Sequence, residues 1–320
     1  MGRVSREIFK PGIDEDGVYL HVYNHCVEGV SREFPFGDVE KEKFLKHLER
    51  TLMLYSIECL SAVVMSNHYH LILYVPKETF SLEEMAERIK KFKKGKIIAT
   101  IHDFYTQRRH EMSNDLSSFM KELQQVYTCW YNKTRGYKRR GTLWEQRFKC
   151  TKLASLESLA TCLQYIELNP VRAEIVNDPA DYRFCTYGIW QQRGKHLFQK
   201  SFEKHMISAL KIYLKSENIK GLQAYFRERF AGIIAGEKGG DQVEVNLAVK
   251  NAGRKRKRNP LLQRSRFWID SLVLGGRITL KEHAADFWGE ERSQRKKFGR
   301  VYDEGGVEIL SMRQLVVDVN

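Results

Sequence analysis

Two apolar runs separated only by Ser66-Asn67 constrain the fold of this 320-residue chain more than any other feature. The first, Tyr55 to Met65, is rich in Ile, Val, Leu and Ala, and the second runs from His68 to Val75. So short a connection closes a tight turn, and the pair reads as an antiparallel hairpin. On a strand, side chains at i and i+2 leave the same face, so His68 and His70 offer two imidazoles on one side of that hairpin.

The flanking patterns extend this unit. Val18 to Asn24 alternates like a strand, and Gly29 to Gly37, with Pro35, reads as a loop. Asp38 is expected to cap a helix carrying Phe44, Leu45, Leu48 and Leu52 on one side. Ser81 is expected to cap another, whose apolar Leu82, Met85, Ile89 and Phe92 are backed by Lys90, Lys91, Lys93, Lys94 and Lys96. Asp115 to Tyr131 has helical spacing, Trp144 to Leu153 reads as a strand, and Leu156 to Leu168 reads as a helix stopped by Pro170. That order predicts an α+β fold, a ferredoxin-like antiparallel sheet with helices on one face.

Beyond residue 200 the pattern predicts a mostly helical extension, with helices over Phe202 to Phe230 and a flexible connection over Gly232 to Gly240. A basic run, Arg254 to Arg258, ends at Pro260, and a second apolar block spans Phe267 to Leu280. The expected division is residues 1–195 as the principal domain, 196–253 as helical extension and linker, and 254–320 as basic linker and small C-terminal module.

Lysine and arginine outnumber acidic residues by 54 to 40, a formal net charge of +14 that favours polyanionic partners. No apolar run approaches the roughly 18 to 20 residues that a membrane-spanning helix needs. Met1 to Glu7 also lacks the apolar core of a secretory signal, so a cytoplasmic protein with no membrane partner is expected. The six cysteines are scattered without a CxxC pair, which predicts reduced, mostly buried thiols rather than a zinc ribbon.

Taken alone, an HxH on a strand is more often two unrelated histidines than a ligand pair. What adds weight is a second segment, Gln164 to Arg172, in which Tyr165 and Asn169 sit four apart and share a helix face. Leu156, Leu159, Ala160, Leu163 and Ile166 form the apolar stripe of that helix, and Tyr165 points to nearly the opposite side. A packing tyrosine is the commoner outcome for such a residue, and only its pairing with Asn169 and the HxH turns the reading toward a nucleophile. Two imidazoles with an asparagine oxygen as third ligand suit Mg²⁺ or Mn²⁺ rather than zinc. Lys90, Lys93, Lys94, Arg139, Arg140, Arg147, Lys149 and Arg172 are candidate nucleic-acid contacts, and Trp144 is a candidate stacking platform for unpaired bases.

These segments together resemble the single-tyrosine HUH transposases, most closely the REP-associated tyrosine transposase branch. The resemblance covers residues 15 to 190 and rests on His21 to Asn24, Phe36 to Asp38, the Ser66 to Leu73 segment, Arg140 to Lys149 and Tyr165 to Ala173 with Tyr182-Arg183. It implies a transposase catalytic domain over 1–195, acting as monomer or homodimer on hairpin-forming single-stranded DNA. Tyr165 would be the nucleophile, forming a 5′-phosphotyrosine intermediate, with His68, His70 and Asn169 at the metal. His25 stands where that family often has an arginine. Because neutral imidazoles bind metal, activity is expected to fall below about pH 6.5. Two other functions fit the same residues: another HUH enzyme, a replication initiator or relaxase, and a noncatalytic nucleic-acid-binding regulator.

Overall fold

The computed structural model describes residues 9–11, 15–27, 35–135, 139–247, 259–263, 265–291, 298–304 and 307–313. The Arg254 to Arg258 run and most of the loop expected over Gly29 to Gly37 lie outside the described residues.

The chain begins with β1 (Gly17–His25), α1 (Asp38–Leu52), β2 (Glu58–Val64) and β3 (His68–Pro76). Then α2 (Leu82–Phe92), α3 (Phe104–Glu111) and α4 (Leu116–Lys133) lead to β4 (Lys149–Leu153). Five helices follow: α5 (Leu156–Glu167), α6 (Asn169–Arg172), α7 (Thr186–Arg193), α8 (Gln199–Leu210) and α9 (Ile219–Leu247). The C-terminal part holds α10 (Phe267–Asp270), β5 (Ser271–Gly275), α11 (Arg277–Trp288), β6 (Gly299–Glu304) and β7 (Val307–Arg313).

Among the described residues these strands form one seven-stranded sheet in the order β2-β3-β1-β4-β5-β7-β6. Every pairing is antiparallel except β4 with β5. The fold is therefore α+β, and its first four strands have the order of a ferredoxin-like unit. The hairpin expected from Ser66-Asn67 is β2 and β3, and it sets His68 opposite His25 and His70 opposite Tyr23 on β1.

Alternation on these strands divides the core into two layers. Leu20, Val22, Tyr69, Leu71 and Leu73 are all fully or nearly fully buried, and Phe44 of α1 stacks on Tyr69 with ring centroids 4.6 Å apart. Tyr127 of α4 meets Phe44 edge-on at 5.3 Å. Both crossover helices of the ferredoxin-like unit thus lie on one face, as expected. The other face is covered too: Ser61 of β2 donates to Glu167 of α5 at 2.5 Å, and the amide of Ala62 donates to Thr186 of α7 at 2.6 Å.

Several local expectations need correction. Gly37, not Asp38, is the N-cap of α1, and Asp38 sits in the first turn, where its charge suits the helix dipole. Strand β4 begins only at Lys149, and Trp144 makes an isolated bridge to Cys26. The Gly232 to Gly240 stretch is helical: α9 runs through it, and the first half of that helix is held by the buried stripe of Leu222, Phe226, Phe230 and Ile233, which offsets the cost of about 1 kcal/mol at Gly232. The C-terminal extension is mostly helical, as expected, but it also adds β5, β6 and β7 to the sheet. Among the described residues no helix is long and apolar enough to cross a membrane.

Candidate functional site

Period-two alternation places Tyr23 and His25 of β1 beside His68 and His70 of β3. His25 stacks on His68 at 5.9 Å with planes 7° apart, and Tyr23 lies 4.9 Å from His70 and 5.5 Å from His68. The two β3 imidazoles stand edge to face, with centroids 5.1 Å apart.

Each histidine is oriented through Nδ1. Nδ1 of His68 lies 2.7 Å from Oδ1 of Asn67, an acceptor, so the proton is on Nδ1 and the lone pair on Nε2. That Nε2 receives the Asn169 amide at 3.0 Å. The structure therefore brings His68 and Asn169 into direct contact across 101 residues of chain. Nδ1 of His70 lies 2.9 Å from Nε2 of His21, whose own Nδ1 lies 2.7 Å from the Trp268 carbonyl oxygen. Desolvation pushes the buried His21 down to about 4, and it pushes the buried His70 well below the usual imidazole range. Both rings are neutral at physiological pH.

Tyr165 occupies the last turn of α5 and is only 4% exposed. This corrects the expectation that it points away from the core. Residues Ser158 through Glu167 are all buried, because α5 is enclosed by β2, by α8 and by the C-terminal segment. Its neighbours are aromatic and cationic. Trp268 stacks on its ring at 5.0 Å, the Arg172 guanidinium sits 3.9 Å from its centroid, and its hydroxyl donates to the Ser265 carbonyl at 3.3 Å. Arg172 also donates from Nη1 to the carbonyls of Tyr165 at 2.6 Å and Leu261 at 2.7 Å. Tyr165 and His70 thus share two neighbours: Trp268, which reaches His70 through His21, and Arg172, whose charge opposes protonation of His70.

The candidate nucleic-acid residues separate into groups. Trp144 is not a stacking platform: it is 7% exposed and packs against Tyr69 and Phe36 on the sheet face away from His68. Arg172 faces inward as described. Lys149 lies opposite Tyr23 on the site face and pairs with Asp270 at 2.8 Å. Arg139 is held by Asn132 and the Thr142 carbonyl, whereas Arg140 and Arg147 are exposed. Lys90 pairs with Glu87, and Lys93 and Lys94 follow Phe92, which packs under Arg50 in the last turn of α1. That turn leads into the end of β2 paired with Tyr74, so these lysines lie toward the opposite end of the sheet from His68.

Among the described residues no group of three or more His, Cys, Asp or Glu is placed to hold a metal. The donor set here is two imidazoles with an amide. Half a rotation of the Asn169 amide brings its oxygen to the place its nitrogen holds beside His68, and two imidazole nitrogens with an amide oxygen fit Mn²⁺ or Mg²⁺.

Sequence reasoning did not assign roles to His21, Tyr23, Trp268 or the inward turn of Arg172. Period two on β1 signals the first two once β1 is paired with β3. Nothing local signals Trp268, which lies 247 residues from His21.

No protein-family model matches the chain, and no curated protein matches it. A solved structure of a REP-associated tyrosine transposase bound to a REP hairpin is similar at 16% identity, covering 62% of this chain and 90% of that chain with a TM-score of 0.40. A likeness at that level decides neither fold nor function.

Proposed function

We propose that this protein cleaves and rejoins single-stranded, hairpin-forming DNA through a 5′-phosphotyrosine link on Tyr165, with Mg²⁺ or Mn²⁺ held by His68, His70 and Asn169. The observation that carries this reading is the contact between the Asn169 amide and Nε2 of His68, one helical turn beyond Tyr165. The sequence resemblance and the net charge of +14 favour DNA as the partner.

The chain's residues take distinct parts. His68 and His70 present nitrogen lone pairs from a rigid central strand, and Asn169 adds an oxygen from the turn that follows α5. A divalent ion bound there would withdraw charge from the scissile phosphate and favour in-line attack. The Tyr165 oxygen attacks phosphorus, the bond to the 3′ oxygen breaks, and that oxygen leaves as a 3′-OH after taking up a proton. Attack by a 3′-OH on the tyrosine ester reverses the step without ATP, because the phosphodiester energy is conserved. Arg172, over the Tyr165 ring, supplies positive charge where the phenol loses its proton. For a phosphate to reach this hydroxyl, the segment carrying Ser265 and Trp268 must move aside.

The burial of Tyr165 favours a second reading, a noncatalytic nucleic-acid-binding regulator built on the same fold. Labelled hairpin DNA incubated with the protein and Mn²⁺, then run on a denaturing gel, separates the two. The expected result is a covalently shifted band, abolished by EDTA and by Tyr165→Phe, with DNA affinity retained in the variant. Affinity without any adduct from the wild-type protein, over a range of metal and DNA concentrations, would leave the regulator.

A further inference from the structure

The hydrogen bonds of His21 run in one direction only. A carbonyl oxygen accepts and never donates, so the 2.7 Å contact to Trp268 requires the proton of His21 on Nδ1. In a neutral ring this leaves a lone pair on Nε2, which then accepts from Nδ1 of His70 at 2.9 Å. The proton of His70 is thereby fixed on Nδ1 and its lone pair on Nε2. His21 and His70 are 1% and 2% exposed, so no bulk water competes for these positions. Their ring centroids lie 5.1 Å apart with planes only 19° from parallel, the side-by-side arrangement that an in-plane hydrogen bond between two imidazoles requires.

We propose that His21 is a positioning residue for the metal site: it holds His70 in the tautomer that directs Nε2 toward the ion, and it is itself set by the Trp268 carbonyl of the C-terminal segment. This rests on the reading of His70 as a metal ligand. His68 reaches the same tautomer by a different route, through Asn67, a chain neighbour that travels with it. His70 instead depends on β1 and on residues that close over the site from about 200 positions downstream. An orienting partner of this kind sets both the tautomer and the basicity of a ligating imidazole, and its loss typically costs about 10- to 100-fold in metal affinity. Removing His21 would also leave a buried N–H on His70 without an acceptor.

Long-range ¹H–¹⁵N spectra of the full chain at neutral pH, without metal, report each histidine tautomer directly, with His21 and His70 assigned by substitution. Both rings are expected as the Nδ1–H form in the wild type, and His70 is expected to lose that preference in His21→Leu. An Nε2–H form for wild-type His70, or a preference unchanged in His21→Leu, overturns the proposal. Mn²⁺ titration followed by electron paramagnetic resonance supplies the second readout. Affinity is expected to fall at least about tenfold in His21→Leu. It should recover in His21→Gln, whose amide oxygen can accept from His70 at the same place. Equal loss in the Leu and Gln variants points to a packing role and overturns the proposal. His70→Ala guards the underlying reading: if Mn²⁺ affinity is the same without the His70 imidazole, the ligand assignment fails whatever tautomer His21 imposes.

Discussion

Trp268 lies on Tyr165 with ring centroids 5.0 Å apart and planes 21° from parallel, so the C-terminal segment and the end of α5 share one aromatic layer. Trp268 is 1% exposed and is among the largest fully buried side chains of the protein. Truncation to alanine is expected to cost about 3 to 5 kcal/mol of stability. It should also open Tyr165 to solvent, so that tetranitromethane nitrates Tyr165 in the variant faster than in the wild type, as mapped by peptide mass spectrometry. Equal nitration rates would show that Trp268 does not cover the phenol.

How much of this was legible in the sequence depends on the range of each contact. The β2–β3 hairpin and the shared face of His68 and His70 follow from a two-residue turn and a period of two, both local. The pairing of Asn169 with His68 was reachable because each stood out by spacing within its own segment. Tyr165 was misplaced because a helical wheel assumes one solvated face, whereas α5 is enclosed on several sides by elements far away in sequence. Trp268 carried no local mark, since its importance lies in a backbone carbonyl that meets His21 only after β5 has docked beside β4. The strand β5 itself, Ser271–Gly275, is a short continuous apolar run, which periodicity does not distinguish from a buried helical turn.

Stability is expected to fall on acidification through His196. Its Nδ1 accepts from the amide of Phe198 at 3.1 Å, and its ring stacks on Phe202 at 4.0 Å, so burial pushes it down from 6.5 to about 3. Below 6.5 the unfolded chain takes up a proton that the folded chain refuses, so folding stability declines as pH drops through that window and levels off below about 3. The slope from this one group is at most about 1.4 kcal/mol per pH unit. His196→Asn retains an acceptor for the Phe198 amide and removes the titration. Urea melts from pH 7 to pH 4 should therefore be flatter in the variant, and parallel curves would contradict the assignment.

Arg172 joins the end of α5 to the C-terminal segment through two carbonyls on one nitrogen and a flat stack on the Tyr165 ring. Lysine keeps the charge but is a point donor that cannot reproduce the planar contact. Arg172→Lys is expected to loosen the segment by about 1.5 to 3 kcal/mol, the usual worth of hydrogen bonds from a charged group. Hydrogen–deuterium exchange of peptides spanning Asn259 to Asp270 should accelerate about tenfold or more, which corresponds to about 1.4 kcal/mol, while peptides from α1 and α4 stay unchanged. Uniform acceleration across the protein would mean that Arg172 serves global stability instead.

Trp144 and Arg147 lie three residues apart and are expected to fail in opposite ways. Trp144 is wedged among Phe36, Phe44, Tyr69 and Tyr127, and its indole nitrogen donates to the Gln124 carbonyl at 3.4 Å. Its truncation to alanine removes core volume, so it should lower stability by about 3 kcal/mol or more while leaving the DNA affinity of the folded fraction unchanged. Arg147 and Arg140 are exposed, and their joint replacement by alanine should leave the melting curve in place. If both touch phosphate, affinity for a single-stranded oligonucleotide should drop, and the slope of log K against log salt should become shallower by about 0.7 for each phosphate that the variant no longer neutralises. Fluorescence anisotropy at several salt concentrations measures both quantities. A salt slope identical to that of the wild type would show that neither arginine contacts phosphate.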